Sequence, residues 1–545
     1  MSKIAHYLQE HLVGEVMTSA DARRYFSTDA SIMTVVPALV VYPRNENDVR
    51  KAARFTWQLA ERGRVIPITA RGSGTDQTGA ALGSGIIMAF PAHLNRILEL
   101  DIKTGSVTVE PGINFGKLQQ TLHTHGRFLP SYPSSLEYST VGGAVANNAS
   151  GEKTFKYGDT QAYVRSLRAV LANGEVIETG RISKRELQKK LGLSTFEGEI
   201  YRSLDTLLEE NHDAIDTMLR DTSKNNTGYN LLDIKQKDGS FDLTPLLVGS
   251  QGTLAIVTEA TLQTEVHNPQ TTLMMASFDS LQHAEQAIME IRAMAEGPSL
   301  LEMIDGHALR QVSEVNVNQL KSVVQQPFPA LILFAEFDNA KESLQKKLAK
   351  KAAKIFEKYA VSLQTETELE HQQGIIKVRE AVATLLSKSE NGTKSVPVAD
   401  DAIVPADRFR EYVEGTYAIC DKLGIEPALW GHAGDANLQL LPFLNLNQVG
   451  DRQKAFRLMD EYYKMVINLG GAISGERNDG RLRAPYVEQQ YGTEVYSLFQ
   501  KTKAIFDPYG TLNPGVKLGT TVEDIKTMVR PDYNLGQAYS HLPRS

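Results

Sequence analysis

The chain has 545 residues, 41% of them hydrophobic and 23% charged, with a formal net charge of −7. That is ordinary globular composition for about two to four domains, and it offers no basic footprint for nucleic acid. The single cysteine, Cys420, excludes an intramolecular disulfide and is compatible with a reducing compartment. No apolar run reaches the roughly 18 residues of a membrane span. Residues 1–17 lack the apolar core of a signal peptide. The expectation is a cytoplasmic protein, with peripheral contact at the inner face of a membrane left open.

Residues 1–30 read as one or two helices. A strand over 37–43 is bounded by Pro37 and Pro43. Asn47 is the expected N-cap of the next helix, with Val49, Ala52, Ala53, Thr56 and Leu59 at helical period and Gly63 at its end. A strand over 65–70 leads into residues 71–79, Arg-Gly-Ser-Gly-Thr-Asp-Gln-Thr-Gly, and a second strand follows over 85–90. Glycine admits positive φ and lets a ligand approach the backbone closely. Successive N–H groups in such a loop form a concave anion site. Two readings stand at this point, a phosphate cradle and a long hairpin loop. A nicotinamide fingerprint fits poorly, because it needs a helix after the glycines and here a strand follows.

Residues 97–101 and 106–110 form a hairpin around 103–105. Asn114 caps a helix carrying Leu118 and Leu122, and a proline-rich loop covers 128–134. The second glycine cluster, 139–151, places Thr140 as N-cap of a helix of small residues. Such a helix start is a natural pyrophosphate site; tight packing alone is the other reading. Asn173-Gly174 joins the apolar runs 164–171 and 176–179 as a hairpin. Residues 181–240 are charged and helix-rich, and read as an insertion covering part of the site. They contain Lys-Asn-Asn-Thr-Gly-Tyr-Asn at 224–230. A third glycine element, Gly-Ser-Gln-Gly-Thr-Leu, spans 249–254.

In the second half, strands are expected over 271–278, 299–304 and 330–337, with helices over 280–295 and 340–358. The lysines of the latter read as a solvated face. This alternation suits an antiparallel sheet with helices on one side.

Taken together, Arg-Gly-x-Gly-Thr at 71–75, Gly-Gly-Ala-x-Ala-x-Asn-Ala-x-Gly at 142–151 with Tyr-Gly-Asp at 157–159, and Gly-Ser-x-Gly-Thr-Leu at 249–254 resemble the vanillyl-alcohol oxidase (PCMH) type of FAD-binding domain over residues 37–262. Within it the likeness is to the D-lactate dehydrogenase, glycolate oxidase and D-2-hydroxyglutarate dehydrogenase group. The resemblance implies an α+β fold. A two-lobed FAD-binding domain over 31–268 would follow an N-terminal helical segment, 1–30. An α+β substrate domain over 269–517 would lay an antiparallel sheet over the flavin, ahead of a polar tail, 518–545. It implies that Arg71, Gly72, Ser73, Gly74 and Thr75 meet the FAD pyrophosphate and that Gly142, Gly143 and Asn147 line its middle. Gly249, Gly252, Thr253 and Ile256 would back the isoalloxazine and ribityl, and Asn513 and Lys517 would face the flavin. The first loop has no histidine, so the FAD is expected to be non-covalent.

The same resemblance makes Arg379 the anchor of a substrate carboxylate, a pairing suited to a guanidinium fork; Lys394 would lie near the substrate. His432 stands where the group holds a divalent metal, but the second histidine, seven positions on, is here Gln439. After Glu476, the group's proton-accepting histidine is here Arg477. One imidazole and one carboxylate make a poor zinc site, so no catalytic metal is expected. Arg477 would replace its charge and hold a carboxylate or oxyanion. His432, titrating near neutral pH, would take the hydroxyl proton, with Glu476 orienting Arg477 or His432. The implied activity is oxidation of a 2-hydroxy acid, of D configuration, by hydride transfer to flavin N5. A non-redox flavoprotein resembling the ether-lipid (alkyl-glycerone-phosphate) synthase branch is the alternative. The electron acceptor stays open among quinone, oxygen and a carrier protein, as does a homodimer.

Overall fold

A computed structural model describes residues 2–320, 323–324, 326–386, 389–390 and 392–533. Three sheets organise them. The first carries the strands Glu15–Met17, Leu39–Tyr42, Ile86–Ala89 and Ile68–Arg71, in that order. The last three are mutually parallel and the first is antiparallel to its neighbour. The helix Glu46–Ala60 packs Val49, Ala52 and Ala53 onto this sheet. Its cap is Asn45, which accepts from Asp48 N, two residues before the expected Asn47. The parallel pairing of Ile68 with Ile86 overturns the hairpin reading of the first glycine loop. The loop must return to the starting edge of the sheet, so it is a crossover without a helix.

The second sheet is antiparallel, in the order Ile97–Asp101, Ser106–Val109, Ile256–Gln263, Val164–Val170 and Val176–Glu178. Along Ile256–Gln263, buried and half-buried residues alternate, so Ile256, Thr258, Ala260 and Leu262 point inward. Both expected hairpins are present here. Gly174 takes φ +85° in the Asn-Gly turn, a conformation that favours glycine.

The third sheet has seven antiparallel strands, in the order Ser362–Glu366, Thr272–Phe278, Leu331–Phe337, Leu300–Asp305, Leu429–His432, Asn437–Leu440 and Ala402–Ile403. Helices cover both of its faces. Leu331, Leu333, Ala335 and Phe337 share one core with Ala284, Ile288 and Phe356; Ile332 and Phe334 share the other with Leu309, Val312, Ile375 and Val378. The one-sided arrangement expected from the alternation of strands and helices is therefore corrected. The unbroken apolar run of Leu331–Phe337 is the signature of a strand buried on both faces.

The ends of the described chain are tied together. The helix Val522–Met528 is followed by a bridge from Val529 to Met33. Arg530 donates to the carbonyls of Asp29 and Ser31, both at 3.0 Å. The N-terminal segment also contributes an edge strand to the first sheet. Of the expected polar tail, 534–545 lie outside the described residues.

Candidate active site

The first glycine loop is shaped by the segment beneath it. The Arg71 guanidinium is buried and donates to the carbonyls of Thr28 at 2.8 Å, Ala81 at 3.3 Å and Phe26 at 3.4 Å. Its side chain is thus a strut that leaves the backbone N–H groups of the loop to face the cleft. Gly74, at φ +78°, would place a Cβ 2.3 Å from Arg71 Nη2; a Cβ on Gly72 would lie 2.2 Å from Thr140 Oγ1. These two positions admit only glycine. Thr140 caps the helix Val141–Asn147 by accepting from Gly143 N at 3.2 Å. A Cβ on Gly142 would lie 2.5 Å from Pro111 Cβ, so tight packing also explains that glycine. Asn147 Nδ2 donates to Asp76 at 3.3 Å, and Gln251 Nε2 donates to Asn147 Oδ1 at 3.0 Å. All three glycine elements therefore meet at one place.

They enclose a cleft of about 1340 Å³, counting open solvent at its mouth. Residues 71–77, Gly142, Gly143, Asn147, Gln251 and Gly252 line it, together with Ser150, Glu476 and Arg477. Gly249, Thr253, Ile256 and Asn513, also expected at the cofactor, are not in that lining. Thr253 is taken up by Tyr229 and Ser250. Ile256 is part of the core. Asn513 ties Thr69, Ala80 and Gln251 together, and Lys517 is buried against Asp479 and Asn478. None of residues 181–240 lines the cleft; their helices pack beside Ala484–Phe506.

At the domain boundary the cleft opens on a buried run of alternating charge. His432 ends the strand Leu429–His432. Its Nε2 lies 3.0 Å from Glu476 Oε2 and its Nδ1 lies 3.2 Å from Glu302 Oε1. Burial alone would depress the imidazole. The Glu476 charge, the ring's hydrogen bond to Glu476 and its close approach to the Glu302 carboxylate outweigh it and hold His432 at about 9. Against its own burial, Glu476 is held at about 2 by the His432, Lys224 and Arg477 charges. His432, expected to titrate near neutral pH, is instead held as the imidazolium through pH 7, because two carboxylates grip one ring.

Arg477 Nη1 donates to Asp400 Oδ2 at 2.8 Å and its Nη2 to Gln439 Oε1 at 2.6 Å; Gln439 Nε2 donates to Glu476 Oε1 at 2.8 Å. The residues that replace the two expected histidines thus bond to each other. Asp401 orders the loop that carries them, accepting from Glu476 N at 2.9 Å and Arg477 N at 2.7 Å. Arg379 is held by Glu152 and, at 3.3 Å, by Glu302, and it is not in the cleft lining. Lys394 donates to the Tyr533 carbonyl at 3.1 Å and is likewise outside the lining. Among the described residues no three or more His, Cys, Asp or Glu are grouped to hold a metal ion. Glu302 and Glu476 sit on opposite nitrogens of His432 and do not converge.

Sequence reasoning missed Glu152, Glu302, Asp400 and Lys224. Lys224 Nζ donates to Ser150 Oγ at 2.9 Å and Asn437 Oδ1 at 3.0 Å. One signal was available: Glu302 is a carboxylate inside a wholly buried strand, and such a charge needs partners.

Residues 37–180 match the FAD binding domain family, and residues 267–516 match the C-terminal domain of FAD linked oxidases. The chain belongs to the FAD-linked oxidases. It is 30% identical over 521 residues to a D-2-hydroxyglutarate dehydrogenase of Escherichia coli, covering 93% of this chain and 50% of that protein. It is 29% identical over 483 residues to glycolate oxidase subunit GlcD of Bacillus subtilis, covering 88% of each. The chain spans about half the length of the D-2-hydroxyglutarate dehydrogenases it matches. Among solved structures, 4-ethylphenol oxidase from Gulosibacter chungangensis superposes with a TM-score of 0.69 at 15% identity, over 96% of this chain and 98% of that one; it shares the fold.

The cofactor of this FAD-linked oxidase is FAD, and the cleft fits it. The glycines of the first loop leave its backbone open to a pyrophosphate, whereas the N–H groups of Gly142 and Gly143 are taken by Pro111 and Thr140. Gln77 Oε1 and Ser139 Oγ line the cleft, are buried and have no partner in the protein, so a polar ligand there satisfies groups otherwise expensive to bury. No helix among the described residues is long and apolar enough to cross a membrane.

Proposed function

We propose that the protein oxidises a D-2-hydroxy acid to the 2-oxo acid. Bound FAD supplies the hydride acceptor. The backbone of 72–75 holds the pyrophosphate, and Gly142, Gly143, Asn147 and Gly252 line the rest of the cofactor. Arg477 anchors the substrate carboxylate. It lines the cleft, and two of its N–H donors are used by Asp400 and Gln439, which leaves others of its five free. His432 takes the hydroxyl proton in its free-base form, with Glu302 fixing the ring from Nδ1. Arg379 holds Glu302 in place, a supporting role in contrast to the anchor expected from the resemblance.

The observation that carries this reading is the run Glu302, His432, Glu476, Gln439 and Arg477 opening on the cofactor cleft. The names of the relatives point the same way. Anaerobic absorbance spectra of the purified flavoprotein with D- and L-2-hydroxy acids are the test. Lasting bleaching by D isomers is expected. A spectrum unchanged by every hydroxy acid would sink the proposal. Reoxidation with oxygen or a quinone then identifies the acceptor class.

A further inference from the structure

Among the described residues, the substrate end of the cleft has one usable positive charge, Arg477. Among the described residues lining the cleft, the cations are Arg71 and Arg477 and the anions are Asp76 and Glu476. Arg71 is spent on three backbone carbonyls. Arg477 is aligned by Asp400 and Gln439 and stands 3.8 Å from Glu476.

The other basic groups nearby are already committed: the His432 imidazolium lies between Glu302 and Glu476. Arg379 lies between Glu152 and Glu302, with Glu380 at 3.8 Å. Lys224 is buried on Ser150 and Asn437. Lys153 is bound to Glu336 and Asp338, and Lys156 to Asp338. A carboxylate moved out of water requires a cation or several donors to replace its hydration. One carboxylate finds that at Arg477. A second would meet the Glu476 carboxylate with no cation of its own.

Resting on the hydroxy-acid reading above, we infer that this site accepts a 2-hydroxy monocarboxylate with an uncharged side chain and discriminates against dicarboxylates. The discrimination comes from unpaired and like charge placed against the wrong substrate. Arg379 and Arg477, the two arginines expected to hold carboxylate groups, are separated in the fold. One is neutralised by two glutamates outside the cleft and only the other faces it.

The test is kcat/KM of the holoenzyme for D-lactate and D-2-hydroxybutyrate against D-malate and D-2-hydroxyglutarate at one ionic strength. The monocarboxylates are expected to lead by about tenfold or more. Equal or higher values for the dicarboxylates overturn the inference. Flavin reduction by none of the four sinks the hydroxy-acid reading and this inference with it, whereas reduction by the dicarboxylates alone sinks only the inference. The variant Glu152→Gln is a second arm, because it uncovers part of the Arg379 charge. The dicarboxylate-to-monocarboxylate ratio is expected to rise several-fold. If both rates fall together and the ratio stays fixed, the charge account is wrong.

Discussion

The glycine cradle and the charged end of the same cleft solve opposite problems. The cradle receives a dianionic cofactor and uses almost no charge of its own. Arg71, its one arginine, faces backbone carbonyls, and the loop conformation exposes N–H groups instead. The charged end receives a small anion and a proton, and it uses fully charged side chains in strict alternation, from Arg379 through Glu302, His432 and Glu476 to Arg477 and Asp400. Backbone recognition is fixed by shape. Side-chain recognition is fixed by pairing, so changing one member changes the charge of all its neighbours.

Breaking the charged end gives the largest expected effect. Arg477→Met removes the proposed carboxylate anchor and the guanidinium that pairs with Asp400 Oδ2. Losing one member of a buried pair costs about 3–5 kcal/mol, which corresponds to a fall in kcat/KM of about a hundredfold to several thousandfold. Asp400 keeps Arg483 at 2.8 Å, so the fold and the flavin are retained. Steady-state kinetics with the flavin absorbance as an occupancy control check this. Loss of flavin in step with activity would show that Arg477 serves the cradle instead.

Breaking the cradle gives the converse. Gly72→Val drives a side chain into Thr140, whose Oγ1 would stand 2.2 Å from the new Cβ. Overpacking of this kind costs about 1–3 kcal/mol, a roughly five- to hundredfold weaker cofactor affinity. Gly143→Ala is the control, since its Cβ would meet only Thr140 Oγ1, at 3.2 Å, and it is expected to retain FAD. The ratio of flavin to protein absorbance after gel filtration separates the two. Equal occupancy would show that the close approach at Gly72 is not what admits the cofactor.

The pH profile sharpens the comparison at the charged end. His432 is held at about 9, above its ordinary 6.5, so about 1% is free base at pH 7. Acting as proton acceptor, it makes kcat/KM rise about tenfold per pH unit from 7 and level off near 9. Glu302→Gln removes one carboxylate from the ring and moves the plateau to lower pH. A flat profile from pH 6 to 9 in the parent enzyme would remove His432 from the reaction. In stability the sign is the reverse. A raised folded-state value stabilises fully below the unfolded value of 6.5 and loses that contribution as pH rises through 9.

Legibility in the sequence follows the same division. The cradle is readable because its constraint is written in residue type: only glycine fits at Gly72 and Gly74, and the spacing survives whatever surrounds it. The two hairpins and the Thr140 and Asn114 caps are readable for the same local reason. The charged end is not, since its partners are remote. Glu152 meets Arg379 across 227 positions and Glu476 meets His432 across 44. The resemblance located His432, Glu476 and Arg477. It said nothing of Glu302, and it assigned Arg379 to a substrate when two glutamates already hold it. Two-sided burial of Leu331–Phe337 is legible in its unbroken apolar run, a signal that the alternation of strands and helices does not carry.

The smallest expected effect is that of a chelator. A divalent ion at His432 would need Nε2 or Nδ1 as a lone-pair donor, and each of these faces a carboxylate within 3.2 Å. Glu476 also accepts from the Gln439 amide, a contact an ion would have to displace. The Arg477 guanidinium, 3.8 Å from that same carboxylate, adds a charge no dication would share at that distance without repulsion. Prolonged dialysis against EDTA is therefore expected to leave kcat/KM, flavin content and thermal midpoint unchanged. A loss of activity restored by zinc or manganese, with one metal per chain by elemental analysis, would overturn the metal-free reading. It would also turn the Arg477–Gln439 contact from a replacement of the metal into the closed form of its site.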